Sequence, residues 1–389
     1  MASVPKSGDA GLLLAGAAVA YTYVGYPLLI HVAAEQRRKQ PRSSRPTGDV
    51  PSITVVIPAL DEDSIIAAKV ANTATLRYPK NVEIIVVADG SRDDTAAVAE
   101  ASGARVLFSP ERKGKSAAVT RGVAAASGDI VVLTDANCSL ADDSLVQAAR
   151  DFADPAVGIV GGKKLVVGDG THGAGESLYW RLESRLKAAE SEFGAASGAP
   201  GEFIAIRRSV FRPIPGHVIN DDFWLTCDVL RRGMKVTFAA EAVATERVSE
   251  AMSGEYERRT RIAAGTWQVV LTHLQLAHPS HGARAWIFTS HRVMRNVIVP
   301  VLLPCLWIGS LAQARRSRLA AVLAVGQTLF YGSAAAGVAV DHAVFSAPTQ
   351  FALTNLATLR GALRLLGGRQ SVAWRRVERG PTIMEDELA

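Results

Sequence analysis

Two acidic stretches carry the most chemistry in this chain, Asp135-Ala136-Asn137 and Asn220-Asp221-Asp222. Two oxygen-bearing side chains two residues apart on a turn can share a hard divalent cation and the phosphates it carries. A carboxylate at a helix start can take the proton of an attacking hydroxyl. Glu111-Arg112-Lys113-Gly114-Lys115 brings cations to the start of another helix, where backbone N–H groups also favour phosphate. Pro58-Ala59-Leu60-Asp61-Glu62 and Asp89-Gly90-Ser91-Arg92-Asp93-Asp94-Thr95 each end an apolar run with acid. Every piece also has a plainer use. Asp89 suits a turn, Asp93, Asp94 and one of Asp221 and Asp222 suit helix caps, and the lysines suit a solvated loop.

Position separates these uses. Ile130-Val131-Val132-Leu133 reads as a buried strand that runs directly into Asp135. Strands are predicted at 53–57, 82–87, 105–108, 129–134, 158–166, 203–206 and 235–238, most of them separated by helical stretches. That βαβα alternation predicts a doubly wound α/β sheet. In such sheets ligands bind outside the carboxyl ends of the strands, where four of the five pieces fall. Glycine-rich loops are expected at 168–175 and 194–201, with a long helix at 176–193 between them.

Membrane-like segments flank this region. Residues 10–34 carry no charge and are long enough for a span of roughly 20 apolar residues. The basic stretch that follows, 35–50, reads as a linker and places the bulk of the chain on the cytoplasmic side. A cleaved signal peptide is the competing reading of the first apolar stretch. Two further spans are expected within 297–340, after an interfacial connection at 276–296. Residues 343–366 are apolar but carry Arg360 and Arg364, which at mid-bilayer would cost about 3 kcal/mol each, so they read as an interfacial helix. A tail at 1–9 and a basic, then acidic, tail at 367–389 complete the chain. The net charge of +6 suggests an anionic membrane or phosphorylated partner. No basic stripe interleaved with aromatics points to nucleic acid. Cys138, Cys227 and Cys305 form no CxxC pair and suit a reduced compartment.

Over residues 50–275 the order of these motifs resembles the membrane-bound inverting glycosyltransferases of family 2, the class of cellulose, chitin, hyaluronan and poly-N-acetylglucosamine synthases. The resemblance implies a GT-A fold, a Rossmann-like and mostly parallel sheet over 51–275, flanked by transmembrane helices. It implies a UDP-sugar donor held by Pro58, Leu60, Glu62, Asp89, Lys115 and Asp135. Mg²⁺ or Mn²⁺ would sit at Asp135 and Asn137. Asp222 would be the catalytic base and Asp221 its partner, with Arg258, Arg261, Ser197 and Gly198 on the diphosphate and acceptor side. The acceptor would be a glycan or lipid-linked, in contact with membrane lipids and with an export or assembly partner. The expected location is the cell membrane, multi-pass, with the catalytic domain in the cytoplasm.

Three positions depart from the family pattern. Asn137 puts a neutral ligand where an aspartate is usual, Leu60 replaces a base-stacking residue, and Ile262 replaces the tryptophan after Arg258-Arg259-Thr260-Arg261. Trp224 and Trp267 are candidate substitutes for that tryptophan. Rival readings are a single-addition lipid-linked transferase, a catalytically silent nucleotide-sugar-binding membrane subunit and, more distantly, a nicotinamide-binding Rossmann protein. The last lacks a GxGxxG after the first strand.

Overall fold

The run Ile53-Thr-Val-Val-Ile is apolar on both faces, and it forms the middle of a sheet. In the computed structural model β1 (Ile53–Ala59) is buried at every position. The structure describes residues 7–39, 50–167, 170–247, 252–340 and 342–370. Most of the N-terminal tail, most of the linker at 35–50 and the tail beyond Gln370 lie outside the described residues.

The other strands are β2 (Glu83–Asp89), β3 (Arg105–Ser109), β4 (Ile130–Leu133), β5 (Cys138–Leu140), β6 (Val157–Val167), β7 (Ile204–Arg207) and β8 (Lys235–Arg247). They form one sheet in the order β3-β2-β1-β4-β7-β6-β8-β5. β3, β2, β1 and β4 pair in parallel, as the alternating pattern predicts. The second half is mixed: β7 runs antiparallel to β4 and β6, β6 is parallel to β8, and β5 is antiparallel to β8. Four of the seven pairings are thus parallel, and the antiparallel ones all fall in the second half. Pro58 is tolerated inside β1 because β4 pairs only with Ile53 to Val56, so no N–H is missed on that side.

Two elements depart from expectation. β8 runs to Arg247 rather than ending at Phe238, because residues 243–247 resume pairing with β6 after a register shift and also hold β5. The glycine-rich stretch is helical from Gly170, and the helix continues to Ser191. It does so despite three glycines in its first turns, each costing about 1 kcal/mol in intrinsic propensity.

Three helices among the described residues are long and apolar enough to cross a membrane: Asp9–Arg38, Ala283–Gln313 and Arg318–Ala339. The first passes through a π-helical turn at Tyr21–Gly25, just before Pro27, and so accommodates the proline without ending. The second starts at Ala283, inside the stretch expected to be an interfacial connection. It is π-helical from Phe288 to Ile298. The helix Ala343–Leu366 packs against the helix Met252–Thr272. A Cβ at Gly361 would lie 2.7 Å from Thr260 O, so only glycine lets the two backbones approach this closely. Arg360 and Arg364 reach Glu257 at 2.9 and 2.6 Å.

Candidate active site

The carboxyl end of β4 delivers Asp135, and a glycine turn delivers its partner. Gly114 adopts φ +94° immediately before the helix Lys115–Ala125, a conformation that favours glycine. That turn is held from below. The buried Asp89 carboxylate accepts the N–H groups of Lys113 at 2.9 Å and Gly114 at 2.6 Å, and pairs with Arg121 at 2.8 Å. Asp89 therefore orients the turn rather than lining the cavity. The turn in its place sets Lys115 Nζ 2.7 Å from Asp135 Oδ1.

Asp221 and Asp222 open the helix Asp221–Arg231, and Asn220 takes the capping role by accepting the N–H of Phe223 at 3.2 Å. This leaves Asp222 facing a cavity of about 330 Å³, whose lining includes Lys115, Asp135, Asp221, Arg258, Arg259 and Arg261. Gly201 passes directly over the carboxylate: a Cβ there would lie 2.9 Å from Asp222 Oδ2 and 3.5 Å from Lys115 Nζ. Withdrawal from water and the neighbouring Asp221 push the Asp222 carboxyl up to about 6, against the opposing pull of Lys115. Burial lowers the Lys115 ammonium, but Asp135, Asp221 and Asp222 outweigh it and raise it overall. A base poised near neutrality beside a fixed cation is what proton abstraction next to a phosphate requires.

Pro58, Leu60, Glu62, Asn137 and Ser197 lie outside the cavity lining, and Leu60 is buried in the core. The two loops after β1 and β2 are laced together instead. Asp61 Oδ1 accepts the Arg92 N–H at 2.8 Å, and Glu62 donates its N–H to Thr95 Oγ1 at 2.7 Å. Asn137 donates to Glu246 Oε1 at 2.9 Å. Ser197 is buried, donating its N–H to Glu190. Gly198, Arg258 and Arg261 do line the cavity, and Arg261 donates to Ile219 O at 3.3 Å.

A divalent ion needs several oxygen donors, and the described residues hold no cluster of three His, Cys, Asp or Glu that could supply them. Asp135 is the one residue of the Asp135–Asn137 motif in the cavity, partly exposed and aimed at the phosphate-favouring helix start. Of the motif, Asp135 would be the carboxylate to hold an ion at this cavity.

Several lining residues carry no local sequence signal. Lys164 on β6 is buried between Glu202 at 2.5 Å and Glu246. Burial raises the Glu202 carboxyl, and Lys164 outweighs it, holding it down at about 2. Trp180 lines the cavity with Lys164 Nζ 5.0 Å from its ring centre. Neither Trp224, which packs on His273, nor Trp267 lines the cavity, so among the described residues Trp180 is the tryptophan at the site. Arg292 and Asn296 come from the helix Ala283–Gln313, and Gln350, Thr354, Ala357 and Thr358 from the helix Ala343–Leu366. Their contacts are long-range, and no periodicity announces them.

A sheet of this topology, with acid and lysine at its strand ends and a carboxylate pair at a later helix start, has the GT-A arrangement. Residues 54–214 match Glycosyl transferase family 2. It is 27% identical over 263 residues to an N-acetylglucosaminyltransferase of Rhizobium meliloti, covering 61% of this chain and 60% of that protein. It is 25% identical over 233 residues to the poly-beta-1,6-N-acetyl-D-glucosamine synthase of Staphylococcus aureus, covering 57% and 56%. The chain spans about 60% of the length of the first curated relatives it matches. Among solved structures, the mannosyltransferase PcManGT of Pyrobaculum calidifontis, in complex with GDP-Man and Mn²⁺, superposes with a TM-score of 0.69. It is 24% identical, covering 92% of this chain and 99% of that one, a likeness of fold.

Proposed function

We propose that this chain is a membrane-anchored inverting glycosyltransferase that moves a sugar from a UDP-sugar to a glycan or lipid-linked acceptor at the cytoplasmic face. The observation that carries the reading is the convergence in one cavity of Asp222, raised to about 6, with the Lys115–Asp135 pair. In the reaction Asp222 takes the proton of the acceptor hydroxyl as its oxygen attacks the anomeric carbon in line, inverting it. The bond to the nucleoside diphosphate breaks, and Lys115, Arg258 and Arg261 stabilise the charge that develops on that leaving group.

The Mn²⁺ in the mannosyltransferase of similar fold supports Mg²⁺ or Mn²⁺ here. Asp135 would hold the ion, which when bound adds positive charge at the diphosphate. Asp135→Ala is expected to weaken UDP-sugar binding only with divalent metal present. Equal binding by the wild type with and without chelator would remove the metal from the site.

The pH dependence follows from Asp222. The base works as the carboxylate, so transfer is present above about pH 6 and falls roughly tenfold per unit below it. A pH profile of kcat/KM flat between 5 and 8 would exclude Asp222 as the titrating base.

A lipid-linked acceptor is favoured by one further observation. The helix Ala343–Leu366 lines the cavity through Thr354 and Thr358, while its Val344, Leu363 and Leu366 are about 70% exposed. Its exposed apolar face suits a membrane surface, which would bring a lipid-borne hydroxyl to Asp222. The reading is tested by UDP release from a panel of UDP-sugars, by purified protein with Mg²⁺ or Mn²⁺ and a membrane lipid extract. Turnover with one donor supports it. Tight UDP binding with no turnover on any donor would favour the silent-subunit reading.

A further inference from the structure

We propose that Arg292, on the helix Ala283–Gln313, is a positioning residue that clamps the loop at 197–201 over Asp222 and so sets where the acceptor hydroxyl sits. The proposal rests on the transferase reading above.

One guanidinium ties three elements together. Arg292 donates from Nε to Ser197 O at 2.8 Å. Its Nη2 packs against Gly198 so closely that any Cβ there would collide with it. Its Cζ lies 5.0 Å over the ring of Phe223, the residue after Asp222, and its Nη2 stands 3.7 Å from Glu183 Oε1. The planar guanidinium bonds the loop at its edge and stacks at its face, a combination an ammonium cannot reproduce.

Ser197 is also pinned independently of the Arg292 guanidinium. Ser197 donates its N–H to Glu190 Oε2 at 2.9 Å, and its hydroxyl meets His291 Nδ1 at 2.8 Å. Tyr26, from the helix Asp9–Arg38, donates to Glu190 Oε1 at 2.6 Å. The loop is thus fixed at Ser197 and Gly198, and three residues on, Gly201 lies against Asp222. Ala199 and Pro200, packed against Gly161, carry a shift at Gly198 on to Gly201. A misplacement of about 1 Å at such a site can cost about 10²-fold in rate.

Three variants test this: Arg292→Met, Arg292→Lys and Gly198→Ala, with the Gly198→Ala/Arg292→Met double variant. The readouts are UDP affinity, UDP release from the active UDP-sugar with membrane lipid extract as acceptor, and amide exchange over 194–201. Arg292→Met is expected to lower kcat by about 10²-fold, with UDP affinity within about twofold of wild type and faster exchange in the loop. Arg292→Lys keeps the charge and is expected to recover only part of kcat. Gly198→Ala is expected to be damaging with Arg292 present and nearly silent in the Arg292→Met background, since the clash is gone.

Wild-type kcat in Arg292→Met, or additive losses in the double variant, would overturn the clamp. Parallel loss of UDP binding and transfer would assign Arg292 to donor binding or folding instead. If the wild type turns over no UDP-sugar, the transferase reading fails by itself. Loop exchange still decides the clamp, since unchanged exchange in Arg292→Met would refute it.

Discussion

Asp222→Asn is expected to remove transfer almost completely, lowering kcat by about 10²- to 10⁴-fold, the range for loss of a general base. The replacement keeps the size and the oxygen that accepts from Phe223 N–H, so the helix start is preserved, all the more because Asn220 supplies the cap. It removes only the carboxylate's proton affinity. UDP affinity should stay close to wild type, or tighten slightly as a negative charge leaves the cavity. The measurement is kcat for UDP release beside a UDP binding isotherm on the same preparation. Full activity would remove Asp222 as base, and loss of UDP binding would reassign it to the donor.

Lys115→Met is expected to cost about 10²- to 10³-fold in kcat, as for loss of one preorganised group facing developing charge. Unlike Asp222→Asn, it should also weaken UDP binding. The lysine lies 2.7 Å from Asp135, and Asp221 and Asp222 help hold it in its charged form. Without it Asp135, Asp221 and Asp222 face the cavity with one cation fewer. The pH profile should then move, because Lys115 is what opposes the rise of Asp222: the falling limb shifts to higher pH. Wild-type UDP affinity in Lys115→Met would place the diphosphate elsewhere, on Arg258 and Arg261. An unmoved pH limb would separate Lys115 from the base electrostatically.

The two variants distinguish roles that one cavity brings together. On the proposed reading Asp222 serves the acceptor and Lys115 the leaving group, so one should alter rate alone and the other both rate and binding. Arg292 forms a third class, altering rate through loop placement.

By itself the sequence determined the parallel half of the sheet and the residues at its edge. Strands such as Ile130–Leu133 are apolar without alternation because both faces are covered, and the residue that follows such a strand must lie at a ligand-binding edge. That logic is local, and it reached Asp135, Lys115 and the Asp221–Asp222 pair. Tertiary structure decided how each was used. Asp89 became a support because two backbone N–H groups of a turn 24 and 25 residues further along needed an acceptor. Asn137 gives its amide N–H to a buried glutamate on β8, 109 residues distant, a partner that only the folded sheet brings within reach. Arg292 and Trp180 came to the site from stretches whose sequences read as an interfacial connection and as a long helix between two glycine-rich loops. Burial of charge and polar groups must be compensated by whichever partner the fold supplies, and that partner is set by chain topology rather than by sequence neighbours.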